Sequence, residues 1–329
     1  TCALPILTMK GAGQMDAKHA SVMVARCIAL LTPSIEKSSN PIVVDATLGL
    51  GGHSFALLEK FPQLQIVGLD RDKKAIEIAQ ERLASHLKRI KIVHAVYDQM
   101  PQVLDEIGIK SVDGILFDLG VSSMQLDRSD RGFAYSQNAP LDMRMDQSVG
   151  ITAAEILEKY PRNQLIQVLR EYGEERFAPR IVDNIIKARG TGRLNSTTDL
   201  ANLVKDSIPA PARRFGGNPA KRTFQALRIE VNQELEILER AIPRALNRLS
   251  VGGRMVVMSF QSLEDKVVKK FFVAATESKT PRGLPVEIES LAAKFSLVFK
   301  GSEGASEAEI NENSRAQSVR LRAIERLAI

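Results

Sequence analysis

Pro41-Ile42-Val43-Val44-Asp45-Ala46-Thr47-Leu48-Gly49-Leu50-Gly51-Gly52-His53-Ser54 decides the fold. The apolar run ending in an acid reads as a short buried strand, and a helix is expected over about 53–60. Glycines are needed between the two, where a chain turns sharply and a ligand must approach its backbone. Outward from this turn, Gln65–Asp70, Ile90–Ala95 and Val112–Asp118 read as further buried strands. The stretch 72–87 between them carries Ala75, Ile76, Ala79 and Leu83 on one helical face. Such alternation predicts an α/β fold, a doubly wound parallel sheet of Rossmann-like type. Upstream, 18–32 has helical spacing and is expected to stop at Pro33.

The alternation breaks after the fourth strand. From 127 to 227 no strand is predicted, and helical patterns lie near 152–160, 163–171, 174–189 and 198–206. A long helix is expected over 223–249 with a break at Pro243, then a strand over 253–260 and a helix from Leu263 capped by Ser262. The strands 294–299 and 317–324 close the chain, with a mobile loop expected over 301–314. The organisation is therefore a flexible tail over 1–18, a split α/β domain over 19–127 and 223–329, and an all-helical insertion over 128–222.

Net charge is +6 with a sequence pI near 9.3, which favours an anionic partner such as nucleic acid. Aromatics make up 5% of the chain, with no tryptophan, so stacking is not expected as the main binding force. Two cysteines, Cys2 and Cys27, give neither a disulfide framework nor a metal cluster, and no metal is expected. No apolar run reaches the roughly 18 residues that span a bilayer, and no signal peptide is read. A reducing cytoplasm fits this composition.

Two cofactors compete for the glycine turn. A dinucleotide fingerprint wants a glycine or alanine where Ser54 stands. S-adenosylmethionine instead wants an acid ahead of the glycines, and Asp45 supplies it. Asp70, 21 residues beyond Gly49, is placed to accept hydrogen bonds from ribose hydroxyls, or else is a surface acid capping the next helix. Tyr97 can pack on adenine or be a core-edge aromatic, and Asp98 can accept from the adenine amine.

Strand four ends in Asp118-Leu119-Gly120-Val121-Ser122-Ser123. Chemistry in open α/β sheets gathers at the carboxyl ends of strands. Asp118 can accept a hydrogen bond from the exocyclic amine of a base, or contact the cofactor. Ser122 and Ser123 position the base or make the turn. Attack on carbon-5 of a pyrimidine needs a cysteine, and neither lies in sequence beside the end of strand four or five. That favours transfer to nitrogen, with a ribose hydroxyl still open, onto an unpaired or extruded base.

The chain resembles the RsmH/MraW family of bacterial small-subunit ribosomal RNA cytidine N4-methyltransferases. The resemblance rests on the turn quoted first, on Asp113–Ser123, Arg131-Gly132-Phe133, 140–146 and 172–178. It continues through 222–229, Ser259-Phe260-Gln261-Ser262-Leu263-Glu264-Asp265 and 314–318. It implies a class I methyltransferase domain interrupted by a helical substrate-recognition domain. It implies that Gly51, Gly52, His53, Asp70, Tyr97, Asp118 and Gln125 line the site of S-adenosyl-L-methionine. It also implies a cytidine in the decoding region of 16S ribosomal RNA as target, within the small subunit. Two positions depart from the pattern: Tyr97 stands where many members have phenylalanine, and Gln261 where many have histidine.

Asp118 and Ser122 are thus the candidate catalytic residues. Arg213, Arg214, Lys221 and Arg222 read either as a phosphate-contacting patch or as a solvated loop. Arg144, in the alternating segment 140–146, joins them as a candidate for substrate binding on a loop over the site. Phe224 reads as core. A monomer or homodimer is expected. The competing functions are a methyltransferase for a small molecule or protein amine, a non-catalytic RNA-binding assembly factor, and an NAD-dependent dehydrogenase.

Overall fold

The computed structural model describes residues 21–122, 124–125, 131–214, 218–281 and 288–328. The tail over 1–18, the boundary at 127/128 and Ser123 lie outside the described residues. Seven strands run in chain order as β1 Ile42–Asp45, β2 Gln65–Asp70, β3 Ile90–His94, β4 Val112–Asp118, β5 Leu249–Ser259, β6 Phe295–Leu297 and β7 Arg320–Arg326. They form one sheet in the order β3-β2-β1-β4-β5-β7-β6. The first five are parallel, as their buried, β-branched runs dictate. β7 is antiparallel to both β5 and β6, so the sheet is mixed at one edge. The reason is topological: the helix Ser262–Ala275 carries the chain across to β6 at the edge, and β7 folds back into the gap between β5 and β6. Apolar clusters cover both faces, one around Leu31, Leu57 and Met258, the other around Phe117, Leu104 and Ile242.

The insertion has its own core. The helices Ala153–Lys159, Arg162–Glu171, Ala178–Ala188 and Thr197–Ser207 pack around Leu165, Ile181, Ile185 and Val204. The helix Lys221–Asn232 joins this core through Phe224, Leu227 and Val231, so by packing the insertion extends about ten residues past 222.

Several boundaries differ from the sequence expectation. The first helix, Val24–Glu36, runs through Pro33 because the ring sits on the exposed face while Leu30, Leu31, Ser34 and Ile35 stay buried. The helix expected over 223–249 is two, Lys221–Asn232 and Glu234–Leu246. The break falls at Gln233, whose φ of 50° is left-handed, whereas Pro243 lies inside the second helix and costs it one N–H. Asn232 Nδ2 closes the first helix on the Arg228 carbonyl. Gln261, not Ser262, precedes the helix Ser262–Ala275, its backbone N–H donating to Glu264. The stretch 301–314 is anchored rather than loose. Glu303 bridges to Leu321 and pairs with Arg26, the helix Glu307–Glu312 lies within it, and Glu309 accepts from the Met23 N–H.

Candidate active site

Strand order reverses between β1 and β4, the point where ligand crevices form in such sheets. A cavity of about 450 Å3 opens there, within the roughly 300–1,000 Å3 of small-molecule sites. Its floor is the first turn. Gly49 and Gly51 take φ of 52° and 75°. A Cβ at Gly51 would stand 2.9 Å from Leu83 Cδ1, and one at Gly52 2.0 Å from Ser21 Oγ. Only glycine meets both demands. Thr47 Oγ1 accepts from the Asp118 N–H at 2.6 Å, tying the turn to the end of β4.

Three carboxylates converge on this turn from the ends of β1, β2 and β4. Asp45 accepts from Ser54 Oγ at 2.7 Å, and its burial pushes the carboxyl up to about 6. Asp70 accepts from Gly49 N–H at 2.7 Å and Asp72 N–H at 2.8 Å, and burial likewise holds it at about 6. Asp118 is pushed up to about 7 by burial. Asp70 is therefore no helix cap; Asp72 does that work, accepting from Lys74 N–H at 3.0 Å.

His53 is buried in the helix that follows the turn. Its Nε2 lies 2.9 Å from the Val22 carbonyl, which can only accept, so Nε2 carries a proton. Burial lowers the pKa of the ring. A neutral ring leaves the Nδ1 lone pair facing Asp118 Oδ2 at 3.6 Å. At that distance the two groups are not hydrogen-bonded, and burial alone raises the Asp118 carboxyl.

Tyr97 lines the cavity and packs edge-on against Phe117 at 5.5 Å. Asp98 does not; it pairs with Arg240 at 3.0 Å on the outer side, which removes it as a partner for adenine. Gln125 lines the wall, but its amide is engaged by Ser122 N–H and Asp72. Ser122 also lines the wall, and its hydroxyl oxygen accepts from Gln125 N–H at 3.3 Å, the turn-making alternative.

Of the basic candidates, Lys221 reaches the cavity. Arg213 and Arg222 each donate to a backbone carbonyl, of Ile208 and Glu174, and Arg214 closes the turn Ala210–Arg214. Arg144 is not brought to the cavity; its guanidinium grips Asp142 at 2.7 and 3.0 Å. The segment 140–146 is a loop, and Met145 is its contribution to the wall.

Sequence reasoning gave no role to Arg131. It is 1% exposed and donates from Nη1 to Asp72 Oδ2 at 2.9 Å, and from Nη2 to the Arg144 and Met145 carbonyls. Its partner is 59 residues away, beyond any local pattern. Arg228 and Glu234, paired at 2.8 and 2.9 Å across the Gln233 bend, and buried Glu264 also line the cavity. In space, unlike in sequence, one cysteine does approach the end of β5. Cys27 Sγ lies 3.6 Å from Met258 Sδ, near the end of β5. It is 1% exposed, and burial pushes the thiol well up, so it is no nucleophile.

The acids Asp70 and Asp118 on the lining suit a ligand carrying positive charge better than a pyrophosphate. Arg131, Gly132 and Phe133 join this crevice to the insertion, so one cavity is walled by both regions.

Residues 16–327 match the model of the MraW methylase family. Ribosomal RNA small subunit methyltransferase H of Salinispora arenicola (strain CNS-205) is 54% identical over 315 residues, 96% of this chain and 85% of that protein. The protein of the same name from Parafrankia sp. (strain EAN1pec) is 54% identical over 314 residues, 95% and 96% of the two chains. That of Streptomyces avermitilis is 53% identical over 312 residues, 95% and 98%.

Proposed function

This chain belongs to the MraW methylase family, and from that premise we propose that it methylates the exocyclic N4 amine of a cytidine in the decoding region of small-subunit ribosomal RNA. It is an S-adenosylmethionine-dependent methyltransferase acting on 16S ribosomal RNA. The observation that carries this reading is the pair of half-buried carboxylates Asp70 and Asp118, with Asp45 buried behind them, around a glycine turn whose cavity is also walled by a helical insertion.

S-adenosylmethionine, when bound, supplies a methyl group on a positively charged sulfur. The Gly49–Gly52 turn and Tyr97 hold the donor, and Asp70 offers its carboxylate to the ribose hydroxyls. Asp118 accepts a hydrogen bond from the target amine and takes up the proton released there, its raised pKa suiting it to act as a base near neutrality. Ser122 and Gln125 fix the turn beside it. Arg213, Arg214, Lys221 and Arg222 attract the RNA backbone. Arg144, held by Asp142, shapes the loop and makes no direct contact.

No helix among the described residues is long and apolar enough to cross a membrane. The test is mass-spectrometric mapping of 16S ribosomal RNA from cells with and without the protein. Loss of one N4-methylated cytidine, restored by the wild-type chain and not by Asp118→Ala, is the expected result. An unchanged modification map overturns the reading.

A further inference from the structure

The chain holds 4 tyrosines and 12 phenylalanines, yet five of these sixteen line the cavity at the sheet end: Tyr97, Phe133, Tyr135, Phe224 and Phe260. The cofactor reading uses only Tyr97. Three of the other four come from the insertion side. Phe133 is 6% exposed and lies 5.9 Å beneath the buried Arg131 guanidinium. Phe224 is 4% exposed and packs edge-to-face with Tyr135 at 5.8 Å and 82°. Both phenylalanines are thus fixed in the insertion core, whereas Tyr135 is half-buried.

We propose that Tyr135, braced edge-on by Phe224, is the platform on which the extruded target base stacks. This rests on the reading of the chain as an RNA base methyltransferase and deepens it by naming the residue that holds the base. Three physical points support it. A base taken out of its stack loses π-contacts that an aromatic ring restores. An edge-to-face neighbour holds a ring upright without covering both of its faces. And the ring shares its cavity with Asp118 and Ser122, where the amine must arrive, while Lys221 on the same lining carries positive charge toward an RNA backbone.

The test compares affinities for a small-subunit RNA fragment carrying either the intact target nucleotide or an abasic one at that position. Wild-type chain should bind the intact fragment tighter by roughly 10-fold or more, the scale of one base–aromatic stack. Tyr135→Ala should lose that preference and bind both fragments alike. Tyr135→Trp should restore it, and KM for S-adenosylmethionine should stay within about 2-fold throughout. A wild-type chain that binds both fragments equally overturns the proposal without any variant. So does a Tyr135→Ala protein that melts like wild type and still prefers the intact base. If the wild-type chain methylates no ribosomal RNA, the functional reading itself fails. If it methylates normally while the preference is absent, only the stacking role falls.

Discussion

The sheet end and the helical insertion face one cavity by opposite means. At the sheet end two of the three acids are held by named donors, Asp45 by Ser54 and Asp70 by two backbone N–H groups, while Asp118 faces His53 without a hydrogen bond. Residues 128–222, in contrast, hold 16 Lys and Arg against 11 Asp and Glu, leaving 29 against 28 in the rest of the chain. Nearly all of the excess positive charge therefore sits in the insertion. Under the proposed function, a donor would be held by preorganised short-range bonds, whereas a polyanion would be drawn by a field that salt screens. The two meet at Arg131, which reaches from the insertion loop to Asp72 beside Asp70.

The largest expected effect breaks that junction. Arg131→Ala leaves the Asp72 carboxylate buried without its cation, and urea denaturation should show a loss of about 3–5 kcal/mol. A loss under about 1 kcal/mol would mean that the two regions are held together elsewhere. Next, Asp70→Ala should weaken S-adenosylmethionine binding by roughly 10- to 100-fold in calorimetric titration, since a charged hydrogen-bond acceptor is lost. RNA affinity should not change, and an equal loss of both would erase the contrast between the regions.

The third concerns pH. A carboxyl whose folded pKa is raised contributes stability that is complete below its ordinary value near 4 and is lost as pH rises through the folded value. For Asp118 that loss centres on about 7. The ligand-free protein should melt at a lower temperature at pH 8 than at pH 5. Asp118→Asn should flatten the difference by a few degrees, the scale of about 1 kcal/mol. A pH dependence unchanged in Asp118→Asn contradicts the burial argument. The smallest effect sharpens the other side. Replacing Arg213, Arg214, Lys221 and Arg222 by Gln should reduce the slope of log affinity against log salt by about 2–3. An unaltered slope assigns the RNA contact to other cations of the insertion.

The parallel strands β1 to β4 were legible to within a residue because a fully buried strand needs a continuous apolar run with an abrupt polar end. The glycine turn, Asp70 and Asp118 were legible for the same reason: they close such runs at the edge where ligands bind. Helix termini were less so. Pro33 was read as a stop and Pro243 as a kink or break, yet a proline removes only one N–H and can be carried inside a packed helix. Gln233, the actual break, bears no local mark; its left-handed backbone is bridged by the Arg228–Glu234 pair.

The Rossmann-like layering, a helical insertion and two of the acids on the crevice, Asp70 and Asp118, could be read from the chain alone, because each follows from local periodicity or from a strand's end. Only the tertiary structure decided that Asp72, Gln125 and Arg131 form one buried network, that Asp98 and Arg144 turn away from the cavity, and that Tyr135 and Phe224 turn into it. Those outcomes depend on which side chains, tens of residues apart, compete for the same buried space and the same hydrogen-bond partners.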